Sequence, residues 1–207
     1  MGVDANSRIE CVLTYGYDAL PGDPIRDRGP VSAAFLGLRI DDFRGAARYV
    51  RDLPYGRNAA TSDMLAVLNE GKGTCSTKHA LLKALAGEQA LPIRLMLGIY
   101  EMNARNTPGI GHVLEEHHLP CIPEAHCYLV HGDRRIDVTR NLDDRELEPI
   151  AAFLIEEEIT TEQIGEYKRR WHRAFMRQWL DRQALLDFDS IQLWRLREEC
   201  VAALSRI

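Results

Sequence analysis

The chain has 207 residues, 45% hydrophobic and 28% charged, with a formal net charge of -5. That length supports one domain with a substantial core, and the composition is that of an ordinary globular protein. The acidic balance argues against a nucleic-acid partner, and no stretch approaches the roughly 20 apolar residues that span a bilayer.

The first residues, MGVDANSRIECVL, lack the basic and apolar blocks of a signal peptide, so a cytoplasmic location is expected. The five cysteines, at 11, 75, 121, 127 and 200, are odd in number and widely scattered. In a reducing compartment they are expected as free thiols, each explained by packing, metal or chemistry. No repeat, low-complexity tract or long linker interrupts the chain, so residues 1–207 read as a single domain.

Residues 1–40 read as an N-terminal arm, irregular over 1–30 where Gly, Pro and Asp are frequent. The spacing of Phe43, Ala46, Ala47, Val50 and Leu53 predicts an amphipathic helix over 41–53, stopped by Pro54. SDMLAVLNEG predicts a short helix over 62–71, capped by Thr61 or Ser62 and stopped by Gly71. TCSTKHALLKALAG predicts a third, mostly buried, capped by Thr74 and ended by Gly87. IRLMLGIYEM, 93–102, is apolar on both faces and belongs inside a sheet. Residues 103–124 form a long loop of a kind that is often functional. HCYLVHGDRRIDVT, 126–139, predicts a hairpin turning at Gly132-Asp133.

A long helix follows from Thr160, whose spacing to Gln163 suits a capping box. Ile164, Tyr167, Trp171, Phe175 and Trp179 recur along it at steps of three and four. A last helix, about 190–206, carries Ile191, Trp194, Val201 and Leu204. The order predicts an α+β fold, with a mainly antiparallel sheet packed on the Cys75 helix and a C-terminal helical extension over 141–207.

Taken alone, Cys75 reads as a packing residue, because cysteine is among the most buried residue types. Its place in the first turn of a helix changes that reading. There the unpaired N–H groups and the positive end of the dipole stabilise a thiolate. Gly71 and Gly73 in the preceding turn allow close approach of backbone and substrate. If Gly132-Asp133 form a two-residue turn, His131 pairs with Arg134 and Tyr128 with Asp137. His126 then shares a face with Asp137 as its diagonal neighbour. A slip of one residue would put the two on opposite faces. A thiol, an imidazole and a carboxylate in series make a nucleophile, a general base and acid, and an orienter.

GKGTCSTKHALLKALAGEQALPIRLMLG and AHCYLVHGDRRIDVT resemble two blocks of the transglutaminase-like superfamily. The first has Gly-x-Cys at a helix start, an apolar helix, and a Pro-x-Arg entry to a strand, here Leu91-Pro92-Ile93-Arg94. The second has a His on an apolar strand, a turn, and an Asp shortly before a Thr. The match covers about residues 41–140 and implies a papain-like α+β core in a single-domain, bacterial-type member. It also implies Cys75 as nucleophile, His126 as base and acid, and Asp137 as orienter. The superfamily contains proteases, amidases and acyl-transfer enzymes, and inactive relatives.

The expected function is therefore a cysteine-dependent amide hydrolase or acyl transferase that works through a thioester and needs no cofactor. Its substrate would be a small-molecule, peptide or protein amide. The second oxyanion donor, besides the Cys75 N–H, is Tyr55, Asn58 or Asn69, and the sequence does not choose. Arg94 reads as an ion-pair partner or a carboxylate clamp.

Two alternatives stand beside this. One is a non-catalytic binding module with the same fold. The other is a zinc protein using His112, His117, His118, Cys121, His126, Cys127 and His131, although no CxxC pair or HExxH motif is present. Membrane and nucleic-acid partners are not expected, whereas the aromatic C-terminal helices could pair two chains.

Overall fold

Strands β1 (Ile93–Met102) and β2 (Ile122–His131) pair antiparallel along their whole length, from Ile93 opposite His131 to Met102 opposite Ile122. They form the middle of a four-stranded antiparallel sheet in the computed structural model, which describes residues 17–140, 150, 152–183 and 188–204. β3 (Arg134–Ile136) flanks β2, and β4 (Ile155–Glu158) flanks β1, giving the order β3-β2-β1-β4. The hairpin pairs His131 with Arg134, as the Gly132-Asp133 turn requires. Gly132 takes a φ of 60°, which suits the first position of a type II′ turn.

The helices are α1 (Pro30–Gly37), α2 (Phe43–Asp52), α3 (Ala66–Glu70), α4 (Cys75–Gln89), α5 (Gly111–Glu116), α6 (Glu166–Gln183) and α7 (Ser190–Leu204), with a 3-10 turn over Thr161–Ile164 before α6. Among the described residues, no helix is long and apolar enough to cross a membrane.

Alternation along the strands divides the core. Leu95, Leu97 and Ile99 of β1, with Ala125, Cys127 and Leu129 of β2, belong to the core that α4 contributes through Leu81, Leu82 and Leu85. The expected face of α2, Phe43, Ala46, Ala47 and Val50, is fully buried in the same core. Tyr100, Met102, Ile122 and Tyr128 belong to a second core with α5, α6 and α7. Gly98 keeps the sheet open on that side, since a Cβ there would lie 2.3 Å from the Phe153 ring. Phe153 stacks on Tyr128 with ring centroids 4.8 Å apart.

Several boundaries differ from expectation. The arm contains a helix, α1, because the Glu88 carboxylate accepts the N–H groups of Val31 and Ser32 at its start. α3 begins at Ala66, four residues late, where Asp63 Oδ1 accepts the Leu65 N–H and holds a turn instead. α4 runs past Gly87 to Gln89, whose side chain clasps the N–H and carbonyl of Arg26, and Ala90 takes the left-handed cap. The 103–124 loop holds α5, and its last residues belong to β2. The polar stretch that forms β4 carries no apolar alternation, as befits a charged edge strand. Cys11 and the start of the arm lie outside the described residues, as do residues 205–206 of the last helix.

Candidate active site

Cys75 is the first residue of α4, and the backbone before it is held tightly. Thr74 and Thr77 exchange side-chain-to-backbone hydrogen bonds across the first turn. Gly73 donates to the Pro54 carbonyl at 3.1 Å and accepts from the Gly56 N–H at 3.2 Å. This short bridge sets Tyr55 beside the turn that precedes Cys75.

His126 and Asp137 meet as the hairpin register requires. His126 Nε2 lies 2.8 Å from Asp137 Oδ2. The other carboxylate oxygen accepts the Thr139 N–H at 2.8 Å and the Thr139 hydroxyl. Burial works against the charge on Asp137, but His126 and these donors hold its carboxyl well below the usual range. Burial likewise works against charge on His126, and Asp137 and Cys75 overcome it, raising the imidazole well above its ordinary value.

Cys75 is 8% exposed. Burial alone would raise its thiol, yet Lys168 and His126 bring it down to about 6. Lys168, from α6, places Nζ 3.6 Å from Cys75 Sγ and 2.7 Å from Ser76 Oγ. Burial opposes its charge, and the neighbouring thiols and Glu124 more than compensate, so the ammonium is held above its ordinary value. Cys127 points the other way from His126, toward Ser76, where burial keeps its thiol up.

Two further buried groups lock the segments that carry Cys75 and Asp137 together. His79 Nδ1 donates to the Cys75 carbonyl at 2.7 Å, and its Nε2 accepts the Val138 N–H at 2.9 Å. That pattern requires a neutral ring, and burial brings His79 down to about 4. Lys78 donates to the carbonyls of Arg51, Leu53 and Thr139. The turn of α4 that carries Cys75 is thereby tied to the segment that carries Asp137.

A cavity of about 70 Å³ opens onto Cys75, His126 and Asp137. Tyr55, Tyr100, Thr107, Glu124 and Arg140 line it, and Val201 and Leu204 of α7 close one side. Glu124 accepts from Arg197 Nη2 at 2.6 Å and Nε at 2.7 Å, and the other terminal nitrogen of Arg197 bonds Glu198. Burial opposes the Glu124 charge, but Arg197 holds its carboxyl at about 2.

Of the three oxyanion candidates, only Tyr55 reaches this cavity. Burial and the Cys75 charge push its phenol up to about 12, so it stays a donor. Asn58 is consumed elsewhere, donating to the carbonyls of Ala66 and Lys72 and accepting from the Thr77 hydroxyl at 2.7 Å. Asn69 sits exposed on α3, away from the cavity lining. Arg94 forms an exposed ion pair with Glu158 at 3.9 Å.

The proposed zinc ligands are dispersed. His117 faces Glu199, His131 bonds the Ala19 carbonyl, and Cys127 lies on the opposite face of β2 from His126. Among the described residues, no three His, Cys, Asp or Glu side chains gather as a metal site.

Lys168, His79, Arg140 and the Glu124–Arg197 pair were not anticipated at the site. Lys168 lies on a buried stripe of α6 and the turn before it with Ile164, His172, Met176 and Leu180, which recur every four residues. That stripe is rotated from the expected one, whose Tyr167, Trp171 and Phe175 are only partly buried. Comparison of the chain with family models, curated proteins and solved structures found no match.

Proposed function

We propose that the chain is a cysteine-dependent amide hydrolase or acyl transferase with a papain-like, transglutaminase-like core. The observation that supports this best is the convergence of three side chains from α4, β2 and the segment after β3 on one cavity, with His126 Nε2 2.8 Å from Asp137 Oδ2. With Nε2 engaged by the carboxylate, Nδ1 is the nitrogen left for the thiol.

In this reading the Cys75 thiolate attacks the carbonyl carbon of an amide or ester. The oxyanion takes hydrogen bonds from the Cys75 N–H, which has no intrahelical partner, and from the Tyr55 hydroxyl. His126, protonated, gives its proton to the departing amine, leaving a thioester on Cys75. Water or an amine then attacks the thioester, His126 takes the proton from it, and the thiolate leaves. Asp137 keeps the imidazole oriented and stabilises its charged form through both transfers. Lys168 supplies a cation beside the sulfur in the resting state.

The test is the rate of Cys75 alkylation by iodoacetamide against pH, joined to mass spectrometry after incubation with activated esters. A midpoint near 6 is expected, with an acyl adduct on Cys75 that is absent in Cys75→Ala. A midpoint close to that of a free thiol, about 8.5, with no adduct, would refute the proposal.

A further inference from the structure

The charged groups around the cavity pair off in a definite order. Asp137 is saturated by His126 and Thr139. Glu124 is paired in bidentate fashion with Nε and Nη2 of Arg197. Lys168 lies against the Cys75 sulfur. Among the described residues that line the cavity, Arg140 is the cation without a carboxylate partner.

Arg140 follows directly on the Asp137-Val138-Thr139 segment, and its guanidinium lies 4.5 Å from the centre of the Tyr55 ring. It donates to the Leu204 carbonyl at 3.3 Å. Among the described residues, no carboxylate is within ion-pair distance of it. A guanidinium has five N–H donors in a planar fork, so a single carbonyl leaves most of them free. The cation–π contact with Tyr55 and the bond to Leu204 hold the guanidinium in place and limit the side-chain entropy that binding would cost.

We propose that Arg140 recognises a carboxylate on the substrate, which is a small acyl compound carrying that group within a few atoms of the carbonyl attacked by Cys75. This rests on Cys75 being the nucleophile. The charge count favours it. Among the described residues, the acids lining the cavity, Glu124 and Asp137, already have cationic partners, so an added anion meets the unmatched cation of Arg140. Size agrees, since about 70 Å³ holds on the order of five water-sized groups, enough for a carboxylate and a short chain. The bidentate match of guanidinium to carboxylate supplies the orientation.

The experiment compares alkylation of Cys75 by iodoacetate and iodoacetamide, which differ in charge and little in size. Both react by thiolate attack at the methylene with loss of iodide. The rate ratio, iodoacetate over iodoacetamide, is expected about tenfold above that of free cysteine, consistent with one charge-assisted contact. Arg140→Gln should bring this ratio down by about the same factor, the iodoacetamide rate of the variant serving as its own reference. A ratio unchanged by Arg140→Gln overturns the assignment.

A second arm uses only the wild-type protein. Succinate should protect Cys75 from iodoacetamide in a saturable way, and succinamide should not. Equal effects of the two overturn the proposal even if the variant fails to fold. The pH midpoint of the iodoacetamide reaction reports on the nucleophile separately. A midpoint near 6 with no charge preference removes only the role of Arg140.

Discussion

Lys168 Nζ lies 3.6 Å from Cys75 Sγ, so a buried cation on α6 rests against the first turn of α4. The thiolate is therefore held by a fixed charge as well as by His126. Lys168→Met keeps the length of the side chain and removes the charge. The midpoint for Cys75 alkylation should move up from about 6 by at least about one pH unit. An unchanged midpoint in a folded variant would show that His126 alone sets it.

Asp137→Asn tests the orienter. The amide cannot stabilise a charged His126, so the imidazole pKa should fall and the Cys75 thiol should rise with it. Turnover on any active ester or amide should drop by on the order of 10²- to 10⁴-fold. Thr139→Val removes one hydroxyl donor to the same carboxylate, and its effect should have the same direction and smaller size.

Tyr55 and Asn58, equivalent as sequence candidates, should separate cleanly. Tyr55→Phe removes a donor from the cavity, and kcat should fall by about 10- to 10³-fold with little change in thermal stability. Asn58→Ala breaks bonds to Ala66, Lys72 and Thr77, so the loss should be in stability, on the order of 1–3 kcal/mol in urea titration. The reverse pattern would return the oxyanion role to Asn58.

Mild acid should destabilise the fold through its buried histidines. Burial holds His79 and His172 at about 4, below the ordinary 6.5. The unfolded chain takes up protons as pH falls below 6.5 and the folded chain does not, so stability drops between 6.5 and 4. Glu124, held at about 2 against 4.5, extends the loss further down, where its carboxylate becomes protonated in the unfolded chain first. Thermal midpoints measured from pH 7.5 to 4.5 should fall, and His172→Gln should flatten the slope. A flat profile for the wild type would mean that these rings protonate within the fold.

The hairpin carried most of what could be read in the sequence. A two-residue turn at Gly132-Asp133 fixes the register, and the register alone brings His126 to Asp137. Helix capping at Thr74 was equally local, and so was legible. What escaped depends on tertiary packing. Lys168 is 93 residues from Cys75 and sits in a run of charges that reads as a solvated face. Arg197 and Glu124 are 73 residues apart, and neither has a local signal for its partner. Two expected helix boundaries moved to competing bonds, the start near Ser62 to the Asp63 turn and the end at Gly87 to Gln89. Asn58 shows the converse, a polar residue near the nucleophile in sequence that the fold spends on its own loops.

The separation between Cys75 and its cation along the chain also orders events during synthesis. The thiol at position 75 leaves the ribosome long before Lys168 on α6, and before Val201 and Leu204, which close the cavity. Until α6 docks, the sulfur lacks the ammonium that lies against it in the folded chain. On the proposed function, reactivity at Cys75 would then switch on as a late event of folding, once α6 is in place.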